Sequence, residues 1–230
     1  MNIKENLTAV KERIAAAAIS CGRKPEDIKL VAVTKTYPPE AMNEAIRLGV
    51  TDVGENKPQE VRDKFEHVSP VKWHLIGHLQ TNKVKYIIDR CSMIHSVDSA
   101  RLMDEIERLA VLHNRDIDIL IQVNISGEES KSGIAPTELD GLLRHAAELT
   151  KVHVKGLMTI APKSEAKDTE PHFRNMKKLF DETAAKEYKN VSMEELSMGM
   201  SGDFESAIKC GSTIVRIGSA IFGARNYDRK

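Results

Sequence analysis

The chain has 230 residues, carries 34 basic and 34 acidic side chains, and is 41% hydrophobic. It is long enough to bury a substantial core, and its balanced charge excludes the broad attraction that draws a protein to nucleic acid or an acidic membrane surface, so any anion must be held by a local site. Cys21, Cys91 and Cys210 lie far apart with no Cys-x-x-Cys pair, which argues against a disulfide framework or a zinc ribbon and for reduced thiols in the cytoplasm.

In chain order, Ile3, Leu7, Val10 and Ile14 recur at the helical period within residues 1–20, and Cys21-Gly22-Arg23-Lys24-Pro25 ends that helix. The same stretch holds acidic residues and no unbroken apolar core, so it is expected to be neither a signal nor a transit peptide. No segment approaches the roughly 20 apolar residues of a membrane span. A pattern then starts and repeats. Predicted strand 30–34 leads to helix 39–48, strand 52–54 to helix 58–66, strand 72–76 to helix 82–89 and strand 93–97 to helix 99–113. Strand 117–123 leads to helix 136–149, strand 154–160 to helix 170–188, strand 195–198 to a short helix 204–210, and strand 213–217 to the C-terminal segment.

Strict alternation of short apolar strands with amphipathic helices means parallel strands joined by right-handed crossovers. Eight such units predict an α/β fold, a (β/α)8 TIM-type barrel with an extra N-terminal helix, as one domain over residues 1–230. The alternative is an open doubly wound sheet. Against it, no Gly-x-Gly-x-x-Gly follows the first strand and no composition break marks a second domain. The longest polar excursions, 126–136 and 162–170, fall at carboxyl ends of strands, where a barrel keeps its functional loops.

Lys35 ends the first apolar run, and Thr36-Tyr37-Pro38-Pro39 stops the strand there. A lysine held at that edge against apolar walls loses hydration, which favours its free, nucleophilic amine. The other strand ends carry Glu55-Asn56, Gly77-His78, Ser96 and Asp98, Asn124, Met158-Thr159, Met198 through Asp203, and Arg216 with Gly218-Ser219. Met200-Ser201-Gly202-Asp203 before a short helix, and Ile217-Gly218-Ser219-Ala220 beside it, offer free backbone N–H groups at the two strands whose loops bind phosphate in such barrels. The plainer alternative makes Ser201 an N-cap and Gly218 a turn. Arg216 sits inside an apolar strand and cannot shed its charge, so it must face either a carboxylate such as Glu55 or Glu195 or an acceptor atom of a ligand. His74, His78 and His95 with Glu55 and Asp98 leave a metallohydrolase centre as a weaker alternative, because Trp73 to His78 is strand and turn, where a separation of four does not chelate as it does on a helix. His67, His113, His145, His153 and His172 are expected at the surface.

An amine, a phosphate cradle and an inward arginine suit a phosphorylated aldehyde held as a Schiff base, and pyridoxal 5′-phosphate (PLP) has those parts. The runs Val31 to Lys35, Gly49 to Asn56, Trp73 to Lys83, Gly156 to Thr159, Leu196 to Asp203 and Arg216 to Gly223 resemble, in order and over nearly the whole chain, the pyridoxal phosphate homeostasis protein family. The resemblance implies a barrel like the N-terminal domain of bacterial alanine racemase, with Lys35 as the Schiff-base lysine. It implies phosphate contacts from Ser201, Gly202, Gly218 and Ser219, Arg216 facing the pyridine nitrogen, and Asn56, His78, Met158 and Met198 lining the ring pocket.

An arginine donating to the ring nitrogen keeps it unprotonated and the ring a poorer electron sink. A racemase of this type takes its second base from a C-terminal β-domain and a partner subunit, for which a sequence ending at Lys230 is expected to leave no residues. The expected function is therefore intracellular PLP homeostasis, holding and supplying the cofactor with little or no turnover and with no catalytic or metal-ligating residue. The alternative is a PLP-dependent amino-acid racemase or lyase. Expected partners are PLP and apo PLP-dependent enzymes, with no nucleic acid and no membrane; Lys83, Lys85, Lys131 and Lys163 offer a delivery surface, the plainer alternative being scattered lysines that are only solvated. The chain is expected to be a cytoplasmic monomer.

Overall fold

Apolar runs of four to seven residues pair in sequence order until the last meets the first. The computed structural model describes residues 2–128, 131–162 and 166–223. Its strands are β1 (Lys29–Val33), β2 (Asp52–Glu55), β3 (Lys72–Leu75), β4 (Cys91–Val97), β5 (Ile117–Gln122), β6 (Val152–Met158), β7 (Val191–Ser197) and β8 (Ile214–Ile217), all parallel and closed into one barrel. The predicted TIM-type barrel is the fold observed.

Around it run α1 (Ile3–Ser20), α2 (Pro39–Arg47), α3 (Pro58–Lys64), α4 (Ala100–Leu112), α5 (Leu139–Ala146), α6 (Ala166–Ala184), α7 (Phe204–Lys209) and α8 (Ser219–Phe222). Proline opens α2 and α3 at the first helical position, where its missing N–H costs nothing. The predicted helix 82–89 is instead a 3-10 segment, Thr81–Tyr86. Val84, Ile87 and Ile88 are fully buried, a spacing that either helix type satisfies, and the 3-10 form covers more distance per residue. Likewise the predicted helix 136–149 is a 3-10 turn, Pro136–Glu138, followed by the shorter α5. β7 starts at Val191, earlier than its apolar residues indicate, because its first five residues are only partly covered or exposed.

Two cores result. Val31, Met93, Leu120, Met158 and Ile214 fill the barrel, while a larger shell that includes Trp73, Phe173, Phe204 and Phe222 lies between strands and helices. α1 is tied to the last elements of the chain. Asn6 Nδ2 donates to Ile221 O at 3.0 Å, Arg13 pairs with Glu205 at 2.8 Å, and Arg23 Nη1 donates to Ile208 O and Ser212 O. Register places Arg216 of β8 opposite Val31 of β1, so Lys35 lies further along the same seam toward the carboxyl ends. No helix among the described residues is long and apolar enough to cross a membrane.

Candidate functional site

Alternation along β1 decides where Lys35 goes. Val31 lies in the inner core and Val33 lines a cavity at the carboxyl mouth; two residues on, Lys35 lines the same cavity. The space is about 470 Å3 and is bounded by Lys35, Asn56, His78, Ser201, Gly202, Arg216, Gly218 and Ser219, eight of the ten residues predicted to hold a cofactor. That volume is in the range of small-molecule sites.

Met158 and Met198 do not line it. Met158 is a member of the inner core, beneath Ile160, and Met198 packs in the outer shell between barrel and helices. Strand alternation is the reason: Ser197 points inward to His95 and Arg216, so its neighbour Met198 points outward.

The backbone at Lys35 is held from behind by a charge cluster in which Glu55 is buried and Glu60 and Lys64 are partly so. Thr34 Oγ1 donates to Glu55 Oε1 at 2.8 Å, and Lys64 Nζ donates to Glu55 Oε1 and Glu60 Oε2, each at 2.8 Å, and to Thr34 O at 3.1 Å. Glu60 Oε2 also accepts from the Thr36 N–H at 2.9 Å. Thr36 has φ 70°, a left-handed conformation that a β-branched residue adopts only under constraint. Burial pushes the Glu55 carboxyl up to about 7 against the pull of Lys64, and the neighbouring Glu60 charge adds to the rise. Glu60, against the cost of its own burial, is held below its usual range by the bonds from Lys64 and Thr36. Glu55 Oε2 is buried with no hydrogen-bond partner among the described residues.

The facing wall is made of backbone. The N–H groups of Gly218 and Ala220 converge on Ser201 Oγ at 3.3 and 3.4 Å, beside Gly202, where an added Cβ would meet open space. Two amides aimed at one oxygen form a cradle that suits an anionic oxygen as well as a hydroxyl. Asp203 turns its carboxylate to the Met200 N–H at 2.6 Å.

Arg216 forms the floor and is 3% exposed. Its Nη1 donates to Ser197 Oγ at 2.6 Å and its Nη2 to Thr159 O at 2.9 Å. Neither carboxylate weighed as its partner reaches it: Glu55 is engaged by Lys64 outside the barrel, and Glu195 pairs with Lys29 at 2.5 Å. Burial lowers the guanidinium to about 10, opposed by Asp203, so it stays cationic at neutral pH and presents a donor to the cavity.

His74 and His95 lie inside the barrel, bonded to one another, to Asp52 and to Ser197. His78 is separate at the mouth, 3.8 Å from Asp98. Among the described residues no group of three or more His, Cys, Asp or Glu side chains is placed to hold a metal ion. His67 and His113 are exposed, and His145, His153 and His172 are partly so.

Sequence reasoning did not select Tyr37, Gln122, Ser132 or Ile160, which also line the cavity; Lys131, read as part of a delivery surface, lines the same mouth. The loop after β5 folds back on its own strand: Ile134 N donates to Gln122 O at 2.9 Å, and Asn124 Nδ2 to Glu128 O at 2.8 Å. Gly133 permits this with φ 116°, since a Cβ there would stand 2.8 Å from Asn124 N. Gly133 next to Ser132 was the available signal. Lys83 and Lys85 instead flank the Tyr86 ring, at 5.5 and 5.4 Å from its centre, and Lys163 lies outside the described residues.

The family model described as alanine racemase, N-terminal domain, matches residues 3–226. A protein of Aquifex aeolicus named pyridoxal phosphate homeostasis protein is 46% identical over 99% of this chain and 100% of its own length. Its namesake from Escherichia coli K12 is 43% identical over 100% of this chain and 99% of its own. The chain belongs to the pyridoxal phosphate homeostasis protein family. Another similar structure is that of PipY from Synechococcus elongatus PCC7942 with PLP bound, at a TM-score of 0.82 and 30% identity over 96% of this chain and 100% of that one. An alanine racemase of Clostridium difficile 630, 16% identical with a TM-score of 0.68, shares the fold, and this chain covers 58% of its length.

Proposed function

We propose that this member of the family binds PLP in the carboxyl-end cavity and acts in PLP homeostasis, holding the cofactor and giving it up with little or no turnover of its own. The observation that carries the reading is the pairing, in one cavity of about 470 Å3, of Lys35 with an amide cradle at Ser201, Gly218 and Ala220 and a buried arginine that, among the described residues, pairs with no carboxylate. The residues fit the group: the cradle suits its phosphate, Arg216 its ring nitrogen, and Lys35 its aldehyde, which we assign to a Schiff base formed with loss of one water. When bound, PLP supplies a reactive aldehyde and an electron-withdrawing ring. Arg216 can only donate, so it leaves the nitrogen it faces an acceptor and weakens that withdrawal. Asn56, His78, Tyr37 and Ile160 close the sides; Met158 and Met198 support them from the two cores. The thiols of Cys21, Cys91 and Cys210 are free, which supports a cytoplasmic setting, and we assign apo PLP-dependent enzymes as recipients and a monomer as the working form.

Titrating the protein with PLP is expected to turn it yellow, and Lys35→Ala is expected to lose the band shifted by bonding to the protein. Absence of that shift in the wild type overturns the reading. Sustained formation of D-amino acid or keto acid from single L-amino acids overturns the assignment of little turnover.

A further inference from the structure

A file of buried polar side chains runs through the barrel and joins its two ends. Asp52, the first residue of β2, lines a second cavity of about 480 Å3 at the amino end. Its Oδ1 lies 2.9 Å from His74 Nε2; His74 Nδ1 lies 2.9 Å from His95 Nε2; His95 Nδ1 lies 3.0 Å from Ser197 Oγ. Ser197 Oγ accepts from Arg216, which faces the carboxyl-end cavity. None of the five is more than 5% exposed.

Chemistry fixes the direction of this file at both ends. Arginine can only donate and an ionised carboxylate can only accept. Ser197, accepting from Arg216, has its hydroxyl hydrogen to give to His95 Nδ1. A neutral His95 then carries its proton on Nε2 and donates it to His74 Nδ1, and a neutral His74 carries its proton on Nε2 and donates it to Asp52. With both histidines neutral, only this arrangement satisfies every contact and also gives the Ser197 hydrogen an acceptor. A proton added to His74 makes its Nδ1 a donor and forces His95 to hold its own proton on Nδ1. Ser197 then faces two donors, and its hydrogen loses its acceptor within the file. Charge at one end is therefore felt by the hydroxyl that holds Arg216. Lys29, paired with Glu195, faces the file at the amino end, and Asp203 faces it at the other. Burial, His74, Arg216 and Lys29 all keep His95 neutral.

We propose that His74 and His95 are positioning residues that act on Arg216 through Ser197, a directional relay that couples the charge of Asp52 to the donor Arg216 presents to its ligand. The spectroscopic part rests on PLP binding as proposed above; the relay itself does not. In cofactor-free protein, 15N-histidine NMR at neutral pH is expected to show His95 neutral with its proton on Nε2, the form the relay requires. Asp52→Asn, which keeps an acceptor but removes the charge, is expected to move the Arg216 Nε–H resonance. A proton on Nδ1 of His95, or an unmoved Arg216 signal in a folded Asp52→Asn protein, overturns the relay.

In protein loaded with PLP, Asp52→Asn and His95→Phe are expected to shift the pH midpoint of the visible band by about one unit. His95→Gln, which retains a donor and an acceptor, is expected to restore most of it. A merely structural role predicts altered thermal stability with the midpoint unchanged, and that result also overturns the proposal. If the wild type shows no band, the cofactor reading fails while the two NMR measurements still decide the relay; if His95→Phe fails to fold, Asp52→Asn and His95→Gln decide it.

Discussion

On the Lys35 side of the cavity the supports are charged, with Glu55 buried and Glu60 and Lys64 partly so: Glu55 takes the Thr34 hydroxyl, while Lys64 and Glu60 grip the backbone at Thr34 and Thr36. On the Ser201 side they are small residues and main-chain amides, packed so closely that a Cβ added at Gly218 would stand 3.1 Å from Val33 O. The first wall must hold a strained turn in place, and charge-assisted hydrogen bonds do that at the cost of sensitivity to protonation. The second must bring N–H groups close to an anion, which needs absence of side chain more than presence of charge. One wall is therefore expected to respond to pH, the other to volume.

Lys64→Met breaks the first wall most severely. It strands two carboxylates that share one ammonium, and urea denaturation at about pH 8 is expected to show a loss of roughly 3–5 kcal/mol that shrinks on acidification. Glu55→Gln sharpens the contrast. Glu55 has its carboxyl raised from 4.5 to about 7, so its contribution is fully present below 4.5 and is lost as pH rises through 7. The stability difference between wild type and Glu55→Gln is then expected to change by up to about 3 kcal/mol from roughly pH 4 to pH 8, whereas a pH-independent difference contradicts it. Gly218→Ala tests the other wall. Overpacking against Val33 is expected to cost about 1–2 kcal/mol at every pH, read by the same denaturation curves. The smallest effect is Ser201→Ala, with stability nearly unchanged and PLP affinity, measured by equilibrium titration, reduced about tenfold through loss of one hydrogen-bonding group.

Much of this was legible locally. The alternation of apolar runs and amphipathic helices is a short-range pattern, so it yielded all eight strands; Lys35, Ser201 and Arg216 were visible because each interrupts such a run or follows it at once. Met198 shows where local reading fails. It adjoins the Ser201 turn in sequence, but a step of one residue along a strand exchanges inside for outside, and only the inward contacts of Ser197 set that parity. His74 and His95 were recognised as strand histidines, yet their partnership spans 21 positions and depends on the β3–β4 register. Lys131 and Ser132 reach the mouth only because a loop turns back on β5, a path encoded in Gly133 and in the hydrogen bonds of Asn124 rather than in any periodicity.

The seam between β1 and β8 has a consequence for how the protein is made. Lys35 stands on one side of it and Arg216 on the other, and Asn6 of α1 meets Ile221 across 215 positions. At about 5–20 residues per second of synthesis, the first strand waits on the order of ten seconds or more for its second neighbour, its outer edge bare of hydrogen-bonding partners throughout. The nascent chain has an amine long before it has a pocket. Because β8 pairs with both β1 and β7, a chain cut short before it is expected to expose two open strand edges and to aggregate, rather than to give a weaker version of the same protein.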